Sequence, residues 1–178
     1  MNVVILANLI AVVSLIISSI SWWKKTKEKV LKLQIMSNII SIIQYTLLIP
    51  YGGLSGILIK MVAIFRDILN IKKEKYKILN SKKVLFVLLL IYFIIGMITY
   101  NNIISIFSVL AAVSYTIIMW PNNIKLVRIA AVVSSIFWII YNVYIQAYIQ
   151  SLSNTIILIS SLFALINGIK KEDKNKET

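Results

Sequence analysis

A few polar side chains fall inside long apolar segments of this sequence, and they are its main candidates for binding chemistry. Gln44 and Tyr45 are expected near the middle of one segment, and Tyr141 and Asn142 near the middle of another. Hydroxyl and amide groups donate and accept hydrogen bonds, as a pocket for a polar solute inside a membrane requires. The alternative is hydrogen bonding between helices, worth about 1 kcal/mol or less per contact. The sequence leaves both interpretations open.

Lys60 is the one charge that we expect deep inside an apolar segment. It lies seven residues after Gly53, about 10 Å deep at the usual helical rise. An ionisable residue at this depth is a candidate functional residue, although its long side chain could also reach the headgroups. Gly56 and Ala63 favour an orientation toward other helices, where the charge suits an anionic or carbonyl-rich solute. With Trp138, which could stack on a ring-shaped solute or simply pack, the candidate ligand-binding residues are Gln44, Tyr45, Lys60, Trp138, Tyr141 and Asn142.

Composition excludes several kinds of chemistry. The sequence has no cysteine and no histidine, which removes disulfides, Cys/His metal sites and His-based catalysis. Its six acidic residues, Asp67 included, are expected at or beyond cytoplasmic ends of the apolar segments, so no carboxylate pair is expected inside the membrane. We therefore expect neither an enzyme nor a cofactor or metal ion. The net charge of +13 does not indicate nucleic acid, because the basic loops have no folded domain to present them.

Seven apolar segments must position these residues. Each is about 17 to 21 residues long, the length that an α-helix needs to cross a hydrocarbon core of roughly 30 Å. Helices are expected because backbone groups that face lipid must be satisfied within their own segment. The sequence thus predicts an all-α integral membrane protein with spans at Asn2–Ile20, Leu33–Ile49, Gly53–Ile71, Val84–Tyr100, Ile103–Trp120, Arg128–Tyr148 and Leu152–Ile169.

Positive charges occur in alternate connections between these segments. Lysine-rich stretches follow spans one, three and seven, and Lys125 and Arg128 follow span five. The connections Pro50–Gly52, Asn101–Asn102 and Ile149–Ser151 carry no charge. By the positive-inside rule, the amino terminus lies outside and the carboxyl terminus in the cytoplasm. Membrane lipids are expected partners, since lysine clusters attract anionic headgroups.

Spans one to three and spans five to seven show the pattern of an internal repeat. A shift of 97 residues superimposes the two triplets without a gap, and their polar faces coincide. On span two the face comprises Ser37, Ser41, Gln44 and Tyr45, and on span six the same offset gives Ser134, Trp138, Tyr141 and Asn142.

Span four lacks such a face and is almost uniformly apolar, which suits a lipid-exposed linker helix. This extra crossing lets both triplets begin on the same side of the membrane, so the repeats are parallel about an axis along the membrane normal. The predicted organisation is a first repeat at residues 1–73, a basic loop and linker helix at 74–100, a second repeat at 101–170 and a charged cytoplasmic tail at 171–178.

Two stretches resemble the YgjV family of bacterial inner-membrane proteins. They are Leu33–Gly56, LQIMSNIISIIQYTLLIPYGGLSG, and Trp120–Tyr144, WPNNIKLVRIAAVVSSIFWIIYNVY. The resemblance covers most of the chain and implies a multi-pass inner-membrane protein with a 3+1+3 fold similar to SWEET and PQ-loop proteins. PQ-loop transporters carry a proline near the inner end of the first helix of each repeat. Trp120-Pro121-Asn122 resembles that feature, whereas the offset positions read Trp23-Lys24-Lys25.

The function that we expect is transport or facilitated passage of a small polar solute. Facilitation is favoured over proton coupling because no protonatable carboxylate is expected near the middle of the membrane. The alternatives are a non-transporting receptor, sensor or partner-binding subunit on the same fold, and an immunity protein. A homo-oligomer is possible. Flux in liposomes, as opposed to saturable binding without flux, separates transport from the receptor alternative.

Overall fold

The computed structural model describes residues 2–73, 75–121 and 123–174, with the backbone alone for residue 77 and residues 168–174. Glu74, Asn122 and the last four residues of the predicted tail lie outside the described residues. Seven α-helices form this part of the chain, so the predicted all-α class and helix number are confirmed. They are α1 Val3–Trp22, α2 Lys27–Leu47, α3 Gly53–Lys72, α4 Lys82–Ile98, α5 Ser105–Met119, α6 Ile124–Tyr144 and α7 Tyr148–Lys174.

Side-chain caps fix several helix starts. The Asn2 carboxamide oxygen accepts from the Val4 N–H at 3.0 Å, and that of Asn123 accepts from the Lys125 N–H at 2.8 Å. Each cap satisfies an N–H that the first helical turn leaves unpaired. Helix α6 begins at Ile124, directly after its Asn123 cap, and α2 begins at Lys27. Both helices therefore start before the apolar segments that predicted them.

The predicted turn at Ile149–Ser151 is wrong, since these residues lie in the first turns of α7. The chain reverses instead at residues 145–147, where Gln146 adopts a φ of 63°. Asn8 of α1, which is distant in the sequence, stabilises this turn by direct hydrogen bonds. Its amide donates to the Gln146 carbonyl, and its oxygen accepts from the Ile149 N–H, both at 3.0 Å. A polar side chain far away in the sequence thus allows α7 to begin earlier than its hydropathy indicates.

Four of the described helices are long and apolar enough to cross a membrane: α1, α2, α6 and the Tyr148–Asn167 part of α7. Helix α3 has the same length as α1, 20 residues, but carries Lys60, Arg66, Asp67 and Lys72. Helices α4 and α5 are shorter, at 17 and 15 residues. The described chain therefore has four helices with the length and hydropathy of ordinary membrane spans, and three helices that are shorter or carry several charges.

The helices pack in two sets, α1 to α3 and α5 to α7, in which each helix contacts its neighbour in the chain. The sets meet where α1 packs on α7 and α3 packs on α5. Helix α4 packs only on α3 and α5 among the described helices with substantial contact. It buries Leu88, Tyr92 and Ile95 and leaves Phe86 and Phe93 more than 60% exposed, so it lies at the rim of the bundle.

Polar groups face inward and apolar groups face outward in this bundle. Hydroxyl pairs join helices at Ser14–Ser37 (2.8 Å), Ser18–Ser153 (2.7 Å) and Ser55–Ser108 (2.5 Å). Small buried residues accompany them, whereas the exposed surface is rich in isoleucine, leucine and phenylalanine. This distribution is typical of helices that are surrounded by lipid and associate through small and hydroxyl side chains.

Candidate functional site

A central cavity of about 80 Å³ lies between the helices, lined by α1, α2, α3, α5, α6 and α7. Helix α4 contributes none of the residues described in its wall. The lining is mixed, with small residues such as Ala63 and Ala111 beside hydroxyl, amide and charged groups. Its polar members include Gln34, Ser37, Asn38, Ser134, Ser135 and Asn154.

Residues separated by the offset of 97 recur around this cavity. Ser37 and Ser134, which the sequence placed on equivalent polar faces, both line it. Further pairs with the same spacing in its wall are Ser18 with Tyr115, Gln34 with Ala131, Asn38 with Ser135, and Lys60 with Ile157. The cavity is thus built from corresponding positions of the two helix sets, but their chemistry differs most at Lys60 and Ile157.

Lys60 points into the bundle. Its Nζ atom lies 4.5 Å from the centroid of the Trp138 ring, and both residues line the central cavity. A cation over an aromatic face is stabilised by about 0.5–2 kcal/mol, depending on desolvation. In the part of the chain that the structure describes, Lys60 forms no ion pair. The geometry thus favours an inward lysine over one that extends to the headgroups.

Lys60 is not the only charge inside a helix, contrary to our expectation, because α3 also buries Arg66 and Asp67. Arg66 donates from Nε at 2.9 Å and from a terminal nitrogen at 2.8 Å, both to Oδ1 of Asp67. The guanidinium also lies 4.5 Å from the centroid of the Tyr115 ring. Asp67 lies five residues before the end of α3, and it is fully buried there. The adjacent arginine makes its burial tolerable by neutralising it.

The other candidates form a compact layer next to the cavity. We define the aromatic plug as Tyr45, Trp138 and Tyr141, whose ring centroids lie 5.7 to 6.4 Å apart. Tyr45 donates to Oδ1 of Asn142 at 2.8 Å. The Tyr141 hydroxyl donates to the Gly52 carbonyl at 2.8 Å and accepts from the Gly56 N–H at 3.0 Å. The plug thereby ties α2 and α6 to the start of α3.

The depth expected for this layer is wrong. Tyr45 lies two residues before the end of α2, and Asn142 two residues before the end of α6, so both are near the uncharged turns. The error arose because the helices begin earlier and end earlier than the apolar segments. Of the six candidate residues, Lys60 and Trp138 line the central cavity, whereas Gln44, Tyr45, Tyr141 and Asn142 do not.

Gln44 is the candidate that the structure leaves apart. It is fully buried in α2, and neither of its amide atoms has a hydrogen-bond partner among the described residues. The Nδ2 atom of Asn142 is also buried without a partner there. A buried polar group without a partner costs about 1–3 kcal/mol. Gln44 and Asn142 therefore hold unused hydrogen-bonding capacity beside the plug.

A second pocket, of about 250 Å³, lies on the side of the uncharged turns. We call it the turn-side pocket; it is lined by Gly52, Thr99, Asn102, Ser105 and Tyr141, among others. Tyr141 therefore lines this pocket while Trp138 lines the central cavity, and their rings meet edge to face at 5.7 Å. The contact between Trp138 and Tyr141 therefore lies between the central cavity and the turn-side pocket.

On the side of the basic loops, two lysines make contacts that the sequence did not indicate. Lys27 of α2 donates to the Met119 carbonyl at 3.2 Å and to the Pro121 carbonyl at 3.3 Å, and Lys73 donates to the Trp120 carbonyl. Both lysines are buried, with 7% and 4% exposure. They therefore do not belong to a lipid-facing cluster, but stabilise the carboxyl end of α5, where positive charge is favourable.

Sequence reasoning also missed Gln34 and Arg66 as cavity residues. The Tyr115 hydroxyl donates to Oε1 of Gln34 at 3.0 Å, joining α5 to α2 in the wall of the cavity. A signal for Arg66 was present, since an adjacent arginine and aspartate inside an apolar segment indicate a buried pair. Gln34 lies at the start of an apolar segment and gave no comparable signal.

Apolar exteriors, hydroxyl-lined helix contacts and a buried charged cavity define a multi-pass α-helical membrane protein. The chain matches the family model Imp-YgjV, described as a bacterial inner membrane protein, over residues 5–172. It therefore belongs to this family, and the bacterial inner membrane is its location, as the sequence predicted. No curated protein and no solved structure matches the chain significantly.

Proposed function

We propose that this protein is a facilitator that lets a small polar solute cross the bacterial inner membrane. The solute passes through the central cavity, between a first repeat at residues 1–73 and a second at 101–170. In this proposal the repeats are parallel, α4 is the linker of a 3+1+3 arrangement, the amino terminus lies outside and the carboxyl terminus lies in the cytoplasm. The charge pattern of the loops supports this orientation.

The observation that carries the proposal is the position of the aromatic plug. Trp138 lines the central cavity, Tyr141 lines the turn-side pocket and Tyr45 packs against both rings, so movement of this plug would join the two spaces. A polar path interrupted by one aromatic layer is what a gated route for solute requires.

Contacts between the two helix sets also support gating. On the turn side they are the Tyr45–Asn142 hydrogen bond and the bonds of Tyr141 to the start of α3. On the basic side they are the bonds of Lys27 and Lys73 to the end of α5. Rocking of one repeat against the other can open one group of contacts while the other group holds, which is how parallel repeats provide alternating access.

Uncoupled passage is favoured over proton coupling. The buried carboxylate of Asp67 is held by Arg66 and is not part of the described cavity wall. A proton carrier would have to reach both the solute and the aqueous phase, and Asp67 lies behind its arginine. The solute then moves down its own gradient.

Flux through liposomes tests the proposal. Protein in liposomes should accelerate volume changes driven by small polar solutes, and Trp138→Ala should accelerate them further by removing the ring contact. Trp23→Ala is the matched control, because that tryptophan is 82% exposed. If no solute passes faster than in protein-free liposomes, while the purified protein binds a solute saturably, the receptor alternative replaces facilitation.

A further inference from the structure

We propose that the central cavity takes a small monovalent anion, held by the Lys60 ammonium group with neutral donors from Asn38 and Ser135. This names the class of solute for the proposed function. It rests on that function for passage across the membrane, but not for binding. The charge of the cavity, its hydrogen-bond donors and its volume each favour this class.

The charge in the cavity wall is one-sided. Lys60 and Arg66 line the cavity, and none of the residues described in its wall is acidic. Asp67 lies outside the wall and neutralises Arg66, through two hydrogen bonds to the same carboxylate oxygen. The remaining charge is that of Lys60, whose counterpart at the offset position is Ile157 and not a carboxylate. One net positive charge favours a monovalent anion.

The ammonium group of Lys60 is placed to accept such a partner. It rests on the face of Trp138 at 4.5 Å and is only partly buried. The ring shields one side of the ammonium but accepts no conventional hydrogen bond, so the N–H groups directed into the cavity can donate to a ligand. A charge inside a membrane protein is stabilised when a counter-charge neutralises it. The anion would supply that counter-charge.

Neutral donors complete the site. Asn38 of α2 and Ser135 of α6 line the cavity at positions 97 residues apart, and neither forms a side-chain hydrogen bond within the described residues. Amide and hydroxyl groups coordinate anions by donating hydrogen bonds, without adding charge. Ser37 is already engaged with Ser14, so it is a weaker candidate.

The volume restricts the ligand to a few heavy atoms. The cavity measures about 80 Å³, whereas about 10–15 Å³ of cavity is enough for one water and drug-sized pockets reach about 300–1,000 Å³. A halide, nitrate or formate ion fits this space. A sugar or an amino acid would need a wider cavity.

Chloride entry is the direct test. Liposomes containing the protein, a chloride-quenched fluorophore and valinomycin to compensate charge should admit chloride faster than protein-free liposomes. Lys60→Gln should slow entry by roughly tenfold to a hundredfold, the range expected for loss of a hydrogen bond to a charged group. Lys60→Arg keeps the charge and should retain most of the rate. Lys29→Gln removes an exposed lysine and should leave the rate unchanged.

Nitrate binding provides a readout that does not need flux. Nitrate should raise the unfolding temperature of the purified protein, because a ligand of the folded state stabilises it, and the shift should be absent in Lys60→Gln. A folded Lys60→Gln protein that binds nitrate and admits chloride as the parent does would overturn the anion site. So would the absence of both responses in the parent protein.

The two proposals fail differently. Entry of a neutral solute such as glycerol, without chloride entry or a nitrate shift, would support facilitation and refute the anion site. A Lys60-dependent nitrate shift without passage of any solute would support the anion site and refute facilitation.

Discussion

Tyr45 and Asn142 form a hydrogen bond of 2.8 Å between α2 and α6, and they are 97 residues apart, which is the offset that aligns the two halves of the sequence. Residues at equivalent positions of two repeats meet each other directly only close to the axis that relates the repeats. This bond therefore locates the proposed repeat axis beside the aromatic plug. The residues differ, so the contact is asymmetric in its chemistry although its positions correspond.

The first prediction concerns this bond. Tyr45→Phe should lower the free energy of unfolding by about 1–2 kcal/mol, because it leaves the buried Oδ1 atom of Asn142 without a partner. Thermal unfolding in detergent measures the effect. Tyr144→Phe is the control, since its hydroxyl bonds to Asn102 at an exposed position. Equal stability of the two variants would show that the Tyr45 bond contributes little.

The second prediction concerns the close approach of α3 to the plug. A Cβ atom at Gly56 would lie 2.8 Å from the Tyr45 ring, so Gly56→Ala should destabilise the protein by about 1–3 kcal/mol. At Gly96 the nearest atom would be a methyl of the partly buried Val109 at 3.0 Å, a less severe contact, and alanine favours the helix. Gly96→Ala should therefore be the milder change. The reverse order of melting temperatures would contradict the packing described for Tyr45.

The third prediction concerns the buried ion pair. Asp67→Ala should cost about 3–5 kcal/mol, because it leaves the Arg66 guanidinium buried without its counter-charge. The double variant Arg66→Met, Asp67→Leu removes both charges and should recover most of that loss. The yield of folded protein and its melting temperature distinguish the two. A double variant no more stable than Asp67→Ala would mean that Arg66 and Asp67 make stabilising contacts beyond neutralising each other's charge.

The fourth prediction tests movement between the repeats. Ser55 of α3 and Ser108 of α5 are close enough, at 2.5 Å between hydroxyl oxygens, for a cysteine pair to form a disulfide in a chain that has no cysteine of its own. Oxidation of the Ser55→Cys, Ser108→Cys variant should stop solute flux, and reduction should restore it. The same treatment of Ser14→Cys, Ser41→Cys links two helices of one repeat, away from the cavity wall, and should leave flux intact. Full flux in the oxidised Ser55–Ser108 variant would rule out rocking at this contact.

The fifth prediction fixes the orientation in the membrane. Tyr51 is exposed in an uncharged turn, and Lys83 is exposed next to the basic loop. A membrane-impermeant thiol reagent added outside the cell should label Tyr51→Cys and not Lys83→Cys. Labelling of Lys83→Cys alone would invert the proposed topology. Tyr51 is a better site for this purpose than Gly52, whose φ of 99° disfavours a side chain.

The fold class was predictable because apolar runs report where a chain can be surrounded by lipid. Their ends were less predictable. Lys27 and the residues after it are good helix formers, so α2 extends beyond its apolar part. The start of α7 depends on Asn8, which is close in space but 141 residues before Ile149. Hydropathy does not contain such a long-range contact.

The residue types and helix faces of the candidate site were predictable from the sequence. The depth of these residues along their helices was less predictable. Side-chain chemistry selected Lys60, Trp138 and the Tyr45–Asn142 pair, and helical spacing placed each on an inward face. Which of them lines a cavity depends on how the rings stack, and the sequence does not specify this. The burial of Asp67 was missed because its cost is offset by its neighbour Arg66, a balance that composition does not reveal.

The contacts of Lys27 and Lys73 with the end of α5 have a consequence for biosynthesis. Translation proceeds from the amino terminus, so both lysines are synthesised before Met119 and Trp120, whose carbonyl groups they bind. Helix α5 has only 15 residues and a limited hydrophobic length of its own. We expect the first half of the protein to act as a template that captures the carbonyl groups ending α5 and sets the depth at which this short helix stops in the bilayer.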